Sequence, residues 1–228
     1  MIIAGMVKSS LVDFPDCISC ILFTPGCNFD CFYCHNRQLI DGTYQVIKMS
    51  TVWDFLRKRV GQLDGVVLTG GEPTLQSDLL PFIKEIKKFG YKVKLDTNGS
   101  SPQVIEEVLD NNLGDYFAVD YKAPSNRYQE ICRGAADAEK VLHTIMTLLD
   151  HRANFEVRTT VFPQLTEKDL LQMAKELPVV PRYSLNRYRA PDKFLHTDKA
   201  KVMKKPYSEE MIAAFTERLH AIQPNVMI

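Results

Sequence analysis

Short apolar runs rich in β-branched residues alternate along the chain with longer segments whose apolar residues recur every three or four positions. The apolar runs predict strands, and the amphipathic segments predict helices. The predicted strands are Ile18–Thr24, Val66–Thr69, Lys92–Asp96, Tyr116–Tyr121, Phe155–Phe162 and Arg182–Tyr188. The predicted helices are Thr51–Gln62, Gln76–Phe89, Pro102–Asn112, Asp137–His151, Glu167–Glu176 and Ser208–His220.

Three of the predicted helices follow a residue that favours a helix start. Ser50, Ser101 and Thr166 each stand just before the first helical position, where a side-chain oxygen can accept a free backbone N–H. Pro102 suits the first helical position, because a residue there needs no backbone N–H. These signals support the boundaries drawn from the hydrophobic pattern.

Six strand–helix units in this order indicate an α/β fold with parallel strands and crossover helices. A closed barrel of eight such units needs about 250 residues, so six units predict a partial (β/α)6 TIM-like barrel, open on one side. A doubly wound sheet is also compatible with the pattern. We expect a single domain over residues 1–228, with a core over about 17–190 and a C-terminal helix over about 207–221.

Unusual motifs stand at the ends of the predicted strands. A cysteine loop follows the first strand, GGEP follows the second, DTNG closes the third and DYK closes the fourth. Both candidate architectures place functional residues at the carboxyl ends of parallel strands. The motifs should therefore meet on one face of the domain.

The composition is that of an ordinary globular protein, with 45% hydrophobic and 25% charged residues among 228. The 28 basic and 28 acidic residues cancel, which argues against nucleic acid as a partner. The basic stretch Lys199–Lys205 is interpreted as solvated surface. No run approaches the ~20 apolar residues of a membrane span, and the start, MIIAGMV, has no signal-peptide pattern. We therefore expect a cytoplasmic protein without a membrane partner.

Cys27, Cys31 and Cys34 form a CX3CX2C motif in the run CNFDCFYCHN. Thiolates bind iron–sulfur clusters, zinc or copper(I), and cytosolic cysteines more often serve metal binding or catalysis than disulfides. A structural zinc site normally has four ligands, and His35 could reach the same metal only with strain, because it adjoins Cys34. Three cysteines are one ligand short of a usual iron–sulfur site, which would leave one iron open to a substrate or cofactor.

The remaining cysteines allow more than one interpretation. Cys17 and Cys20 form a CX2C pair that could be half of a zinc site. Cys20 lies in an alternating apolar strand, however, which favours a buried thiol. Cys132, alone in the sequence ICRG, is interpreted as incidental or as an exposed thiol near the mouth of the site.

The motif CX3CXΦC, in which Φ is an aromatic residue and here Tyr33, resembles the signature of the radical S-adenosylmethionine (SAM) superfamily. The run TPGCNFDCFYCHN resembles the glycyl-radical-enzyme activases of that superfamily, and GMVKSSLVDFPDCISCILF resembles the opening of the activases of anaerobic ribonucleotide reductase. The resemblance runs from about Gly5 to Tyr188. The chain departs from it by lacking the ferredoxin-like cysteine insert of larger activases and by having VDFPD in place of a DGPG run.

The resemblance implies one four-iron, four-sulfur (4Fe-4S) cluster on Cys27, Cys31 and Cys34, with SAM completing the fourth iron. An electron then cleaves SAM to methionine and a 5′-deoxyadenosyl radical. Tyr33 would pack beside the adenine, although a core aromatic is the plainer interpretation. The SAM amino group would meet the loop formed by Gly70, Gly71 and Glu72, with the glutamate orienting the loop or pairing with the ammonium. Gly-Gly alone would also fit an ordinary turn.

The resemblance implies further contacts at the later strand ends, although Asp and Asn also start ordinary turns. Asp96 and Asp120 would hold Na+ or K+ near the methionyl carboxylate, and Lys122 would offset that carboxylate's charge. Asn98 would contact the ribose or methionyl group. Two more candidates lie on the last two strands: Arg158, which needs a partner if buried, and Asn186, whose local sequence departs from the relatives.

The sequence therefore predicts a radical SAM activase that abstracts a Cα hydrogen from a glycine of a partner glycyl radical enzyme, with class III anaerobic ribonucleotide reductase as the leading partner. A flavodoxin- or ferredoxin-type protein would supply electrons. One alternative is a partner of the pyruvate formate-lyase type, and another is a small-molecule enzyme such as 7-carboxy-7-deazaguanine synthase. A non-catalytic zinc or iron–sulfur module is a third alternative, which would leave the other motifs as coincidences.

Overall fold

A computed structural model describes all residues, 1–228, and its centre is one eight-stranded sheet. β1 pairs with β2 antiparallel, and every later pair of neighbours is parallel. In chain order, which is also the order across the sheet, the strands are β1 (Gly5–Ser10), β2 (Ser19–Thr24), β3 (Gly65–Gly70), β4 (Lys92–Thr97), β5 (Tyr116–Asp120), β6 (Phe155–Val161), β7 (Tyr183–Arg187) and β8 (Val226–Met227).

Each crossover between neighbouring parallel strands carries at least one α-helix. The helices are α1 (Arg37–Ile40), α2 (Met49–Lys58), α3 (Leu79–Lys88), α4 (Pro102–Asp110), α5 (Tyr128–Cys132), α6 (Ala138–Asp150), α7 (Glu167–Glu176), α8 (Lys199–Val202) and α9 (Glu209–Leu219).

The strand order confirms the partial barrel and excludes the doubly wound sheet. A doubly wound sheet reverses its strand order at a switch point, whereas β2 to β7 follow one another without reversal. The outer strands β1 and β8 do not pair with each other, so the barrel stays open on one side. The six predicted strands correspond to β2–β7, and their carboxyl ends share one face.

The sequence pattern did not reveal the two outermost strands. β1 has no clean alternation, because most of its residues are half-buried or exposed at the edge of the sheet. β8 has only two residues, too few for any periodic signal. Both therefore depend on tertiary pairing rather than on local preference.

Helix starts were predicted with mixed success. Thr166 caps α7, since its side chain accepts from the backbone N–H of Asp169, whose carboxylate accepts from Thr166 in return. The prediction for Ser50 was wrong, because α2 already begins at Met49 and Lys48 is its flanking residue. Lys48 has no side-chain acceptor, so its position could not be found from capping preference.

The hydrophobic core fills the space between the strands and the surrounding helices. Val66 and Leu68 of β3 are fully buried, as are Leu56 of α2 and Ile83 of α3. Cys20 pairs with Val66 in the sheet and is also fully buried, which confirms the interpretation of Cys20 as a core thiol. None of the helices combines the length and apolar character needed to cross a membrane.

Candidate functional site

The cysteine motif occupies the loop between β2 and α1, and backbone hydrogen bonds from another loop fix it. Asp30 N donates to Cys132 O at 2.8 Å, and Ala135 N donates to Asn28 O at 2.8 Å. The segment from Cys132 to Ala135, at the end of α5, therefore holds the middle of the cysteine motif by two backbone hydrogen bonds. These hydrogen bonds bring together residues that are about a hundred positions apart in the chain.

Three thiols of this loop line one wall of a cleft at the carboxyl ends of the strands. Burial raises the pKa of the Cys27 thiol to about 12 and also raises the pKa of Cys34. The pKa of Cys31 is lowered, chiefly because the neighbouring Cys132 thiol forms a hydrogen bond to it. A metal that binds these sulfurs must displace protons from them, so its affinity rises with pH.

Gly70, the last residue of β3, and Gly71, which follows it, allow the chain to pack directly on the backbone at the end of β2 and in the cysteine loop. A Cβ at Gly71 would lie 1.9 Å from the carbonyl oxygen of Gly26. Gly70 has φ of +120°, and a Cβ there would lie 2.6 Å from the backbone N and O of Thr24. The close approach is completed by a hydrogen bond from Glu72 N to Gly26 O at 2.7 Å. Only glycine fits either position.

Substitution of Gly71 by alanine should separate these two loops. We expect Gly71→Ala to lower the free energy of unfolding by about 2–4 kcal/mol, because backbone rather than a flexible side chain must move. SAM affinity should fall at least tenfold, measured by calorimetry on the cluster-loaded protein. The matched control is Gly5→Ala, whose Cβ would meet Phe23 at 3.4 Å, an ordinary contact. Equal stability and affinity in the two variants would contradict this assignment.

Glu72 ties the loop after β3 to the end of β4. Its Oε1 accepts from Thr74 N at 3.1 Å and from the hydroxyls of Thr74 and Thr97 at 2.7 Å. Its Oε2 accepts from Asn98 N at 2.6 Å. The side chain is fully buried, and burial raises its pKa in spite of these hydrogen bonds.

The position of Glu72 decides between the two roles that the sequence left open. Both carboxylate oxygens are occupied within the protein, and the residue does not line the cleft. This geometry does not support direct pairing of Glu72 with a SAM ammonium, since its carboxylate accepts hydrogen bonds from Thr74, Thr97 and Asn98. The orienting role agrees with the structure, because Glu72 holds the loop of Gly70 and Gly71 in place.

Asn98 connects the end of β4 to the cysteine loop. Its Nδ2 donates to Asn28 Oδ1 at 2.9 Å and lies 3.8 Å from the Cys27 sulfur. Its Oδ1 accepts from Ser100 N at 2.9 Å. Asn98 lines the cleft, but its side-chain amide is already engaged in positioning the ligand loop.

A set of four charged side chains lines the same cleft as the cysteines. Arg158 on β6 donates through Nε to Asp120 Oδ1 at 3.0 Å and through Nη1 to Asp96 Oδ2 at 3.1 Å. Lys122 Nζ donates to Asp120 Oδ2 at 2.9 Å. The parallel register produces this arrangement, since Asp120 and Arg158 are direct neighbours on β5 and β6. All four residues line the cleft.

Asp120 should stay ionised throughout the neutral and mildly acidic range. Burial alone would raise its pKa, but Lys122 and Arg158 outweigh burial and lower the pKa to about 2. A carboxyl whose pKa is about 3.9 in the unfolded chain then stabilises the fold above about pH 4, and this contribution is lost as pH falls toward 2.

We therefore expect wild-type protein to exceed Asp120→Asn in free energy of unfolding by roughly 2 kcal/mol from about pH 7 down to about pH 5. The difference should shrink below about pH 4, where the wild-type carboxyl begins to take up a proton. Urea unfolding of both proteins across this range measures it. A difference that stays constant down to about pH 3 would contradict the ionic role of Asp120.

The barrel interior beneath this set contains more charge than the sequence analysis expected. Lys94 is 2% exposed, and its Nζ lies 2.9 Å from Asp96 Oδ1 and 3.9 Å from Glu156 Oε1. Both aspartates that were predicted to bind a cation already form ion pairs within the protein. Asp96 pairs with Lys94 and Arg158. Asp120 pairs with Lys122 and Arg158. A Na+ or K+ ion at this point stays a prediction.

Tyr33 is the core aromatic that the plainer interpretation predicted, and its packing beside an adenine stays a prediction. The ring stacks on Phe162 with centroids 4.6 Å apart and meets Phe32 edge-on at 5.1 Å. Only 6% of Tyr33 is exposed, so it is mainly a core aromatic. It nevertheless lines the cleft beside the cysteines, where a planar ligand group could meet it.

The cleft has a volume of about 240 Å³ and unites most of the predicted site. Every predicted residue lines it except Glu72 and Asn186: Cys27, Cys31, Tyr33, Cys34, Gly70, Gly71, Asp96, Asn98, Asp120, Lys122 and Arg158. Asn186 is exposed on β7 beside Thr160, at the rim where the lining ends. Its predicted cofactor contact is therefore not supported.

Sequence reasoning did not assign several residues that line the cleft, among them Thr160 and Asn36, and it misjudged Cys132 beside it. Thr160 lies two positions after Arg158 on β6, so the alternation of strand side chains could have found it. Asn36 Nδ2 donates to Gly70 O at 2.9 Å, a contact without sequence signal. Cys132 is fully buried against Cys31, so its interpretation as an exposed thiol was wrong. The short α5, which positions Cys132, was not predicted either.

The residues of the cleft fit an iron–sulfur cluster with one open iron. Three thiols share one wall, while Cys132 stands behind Cys31 and does not line the cleft. The same cleft is also lined by two carboxylates, two cations and glycine backbone, which suit a zwitterionic ligand rather than a fourth cysteine. The fold and the site together define a metal-cluster enzyme built on an open parallel barrel.

The comparison with known families agrees with this class. Residues 21–177, more than half of the chain, match the Radical SAM superfamily. The chain therefore belongs to the radical SAM superfamily and is a radical SAM enzyme.

Relatives within the superfamily differ in the reactions that they are named for. A protein of Methanocaldococcus jannaschii is 32% identical over 202 residues, which cover 85% of this chain and 82% of that protein. It carries the provisional name glycyl-radical enzyme activating enzyme. The 7-carboxy-7-deazaguanine synthase of Thermococcus kodakarensis is 29% identical over 130 residues, covering 48% of this chain and 51% of its own length.

Solved structures share the fold. SuiB of Streptococcus suis, bound to its precursor peptide SuiA, superposes with a TM-score of 0.64 at 14% identity over 90% of this chain and 47% of its own. The enzyme anSMEcpe with bound AdoMet (SAM) has a TM-score of 0.62 at 14% identity, covering 91% of this chain and 63% of its own.

Proposed function

We propose that this chain is an activase that removes a Cα hydrogen from a glycine residue of a partner glycyl radical enzyme. The observation that carries the proposal is the cleft, which three thiols line together with a glycine loop and four charged side chains. The 32%-identical relative, which covers most of both chains, supports the choice of activase among radical SAM activities, because its provisional name states that activity.

In this proposal Cys27, Cys31 and Cys34 hold a 4Fe-4S cluster, and the remaining groups of the cleft hold SAM. The bound cluster supplies the electron that cleaves SAM and so provides the hydrogen-abstracting radical. Cys132 supports the Cys31 sulfur from behind. Asn98 holds the Cys27 end of the loop through Asn28, so two ligands have separate supports.

The charged side chains of the cleft would orient the amino-acid end of SAM. Lys122 and Arg158 present positive charge to the cleft, and either can receive the methionyl carboxylate. Asp96 and Asp120 share these cations, so they limit how far Lys122 and Arg158 can move. Gly70 O already accepts from Asn36 Nδ2, so the Gly71 carbonyl is the backbone group of this loop that would receive the ammonium. A Na+ or K+ ion on the two aspartates would add to this arrangement by bridging to the same carboxylate.

We further propose class III anaerobic ribonucleotide reductase as the protein partner, on the strength of the opening run from Gly5 to Phe23. The test is to reconstitute the cluster anaerobically and add dithionite, SAM and a candidate partner, then to record an EPR spectrum. A glycyl doublet with the reductase and none with a pyruvate formate-lyase-type protein is the expected result. A doublet only with the pyruvate formate-lyase-type protein would make that type of protein the partner. No doublet with either protein would contradict the proposal that this chain is an activase.

A small-molecule reaction is the second candidate, favoured by the match to 7-carboxy-7-deazaguanine synthase over about half of this chain. The two candidates differ in what stimulates SAM cleavage. An activase should form 5′-deoxyadenosine in proportion to added protein partner. A small-molecule enzyme should form it when a small-molecule substrate is added and no protein partner is present, and that result would favour the second candidate.

A further inference from the structure

A basic segment between β7 and α9 concentrates positive charge on a chain whose net charge is zero. The segment, residues 189–205, has only two acidic residues, and one of them, Asp198, is buried in an ion pair with Arg133 at 2.7 Å. Its six cationic side chains are all exposed and form no ion pairs: Arg189, Lys193, Lys199, Lys201, Lys204 and Lys205. Such a concentration of one sign creates a local positive potential that attracts anionic partners.

The basic segment is fixed to the cysteine loop rather than free in solution. Lys201 Nζ stands 5.7 Å from the ring centroid of Phe32, the residue between Cys31 and Tyr33. Arg133, which holds Asp198, follows Cys132 directly. A protein that binds the basic segment would therefore sit against the outside of the loop that carries the cluster ligands.

Two exposed apolar side chains lie among the cations of the basic segment. Met203 is 62% exposed and Leu195 is 36% exposed. Apolar side chains within a ring of charge are the usual composition of a protein-binding patch. A polyanion such as nucleic acid would contact only the basic side chains. The rest of the chain has no basic excess, so it does not extend the basic segment into a longer nucleic-acid-binding surface.

The position relative to the cleft indicates which partner uses the patch. No residue of the basic segment lines the cleft, where a substrate glycine must present its hydrogen. The segment covers the outside of the Cys31 region instead. A radical SAM enzyme needs one electron for each SAM that it cleaves, and that electron can enter from outside the cleft.

The geometry points to the basic segment as the docking surface for an acidic, one-electron-donating protein of the flavodoxin or ferredoxin class. The donor loses one electron, its flavin or iron–sulfur group is oxidised by one, and the cluster bound to the three cysteines gains that electron. Opposite charge steers the two proteins together and makes their association sensitive to salt. This inference rests on the proposed function only in requiring an electron at the cluster.

The test compares two double charge reversals in full-length protein. Lys199→Glu/Lys204→Glu changes the basic segment without touching Lys201, which packs on Phe32. Lys58→Glu/Lys175→Glu is the control, since both lysines are exposed, form no ion pair and lie in the last turns of α2 and α7, which return to the amino ends of the strands, away from the cleft. Affinity for an oxidised acidic flavodoxin is measured by calorimetry at ~20 mM and ~300 mM salt, and 5′-deoxyadenosine formation is measured with reduced flavodoxin and with dithionite.

We expect the first variant to lose at least tenfold in affinity at low salt and in flavodoxin-driven rate, with its dithionite-driven rate equal to wild type. The control should match wild type in every assay. Equal affinity of wild type and the first variant would overturn the inference. So would a yield of 5′-deoxyadenosine that falls in the dithionite assay, because the segment would then affect SAM cleavage itself rather than electron delivery. Absence of 5′-deoxyadenosine from wild type with dithionite would contradict the proposed function, whereas the affinity measurement decides the docking surface independently.

Discussion

Replacement of any one of Cys27, Cys31 and Cys34 by serine should abolish cluster binding and SAM cleavage. All three thiols line the cleft. No other cysteine lines it and could replace a lost ligand, because Cys132 is buried against Cys31 and does not reach the cleft. A cluster with only two protein thiolates loses a ligand that SAM cannot replace. We expect iron content after anaerobic reconstitution to fall to roughly a tenth of wild type or less, and 5′-deoxyadenosine formation to fall by at least about a thousandfold.

Two further cysteine variants act as controls. Cys17→Ser alters a buried thiol at the far end of the barrel, near Lys92 and Asp115, and should leave iron content unchanged. Cys132→Ala removes the hydrogen bond to Cys31 but no ligand, so it should retain the cluster. Loss of iron in Cys132→Ala, with iron kept in Cys34→Ser, would show that the ligand set had been assigned wrongly.

Glu72→Ala should have the second largest effect, although Glu72 does not line the cleft. The carboxylate accepts four hydrogen bonds that join the loop after β3 to the end of β4. Its removal leaves buried donors on Thr74, Thr97 and Asn98 without an acceptor. We expect a loss of about 3–5 kcal/mol in the free energy of unfolding, because each buried unpaired donor costs about 1–3 kcal/mol and water can satisfy some of them.

The functional consequence of Glu72→Ala should be a loss of SAM binding that exceeds the loss of cluster. Glu72 fixes the glycine loop, whereas the cysteine loop keeps its two contacts to the segment after α5. Glu72→Gln, which keeps one oxygen acceptor, should lose about half as much stability. Glu106→Ala, at an exposed position on α4, should change stability by less than about 0.5 kcal/mol. SAM affinity near wild type in folded Glu72→Ala would contradict the role given to Glu72.

The sequence predicted the parallel strands and the location of the site well for a physical reason. Buried parallel strands produce continuous apolar runs, and the carboxyl ends of such strands must share one face. Cys27, Gly70, Asp96 and Asp120 could therefore be grouped before any coordinates were considered. The order of the cysteine, GGEP, DTNG and DYK motifs indicated which cofactors bind there, which the hydrophobic pattern alone cannot indicate.

The parts that the sequence did not reveal depend on contacts between distant segments. The backbone hydrogen bonds of Cys132 and Ala135 with the cysteine loop connect two segments that share no sequence motif. Lys94 reads as an ordinary polar residue in an alternating strand. The pleat of β4 places it on the same face as Asp96, but only the register of β4, β5 and β6 brings it near Glu156. Asn186 lies on the predicted strand beside Thr160, but Thr160 lines the cleft and Asn186 does not, so the cofactor contact of Asn186 stays a prediction without structural support.

The interpretation of the basic segment changes once the contacts of its residues in the fold are known. From the sequence, Lys199 to Lys205 is simply a solvated charge run. In the fold, Lys201 covers Phe32, and Asp198 anchors the segment to Arg133. Proximity to the cluster loop, rather than charge alone, makes an electron-donor surface the specific interpretation.

The central claim is that three cysteines hold a cluster whose open position is filled by SAM, which the chain then cleaves. The most direct measurement is 5′-deoxyadenosine formed by the anaerobically reconstituted protein with SAM and dithionite, together with its metal content. The account predicts about four irons for each chain and 5′-deoxyadenosine that disappears in each of the Cys27→Ser, Cys31→Ser and Cys34→Ser variants. Tightly bound zinc without iron, or an iron-loaded protein that leaves SAM intact, would contradict it.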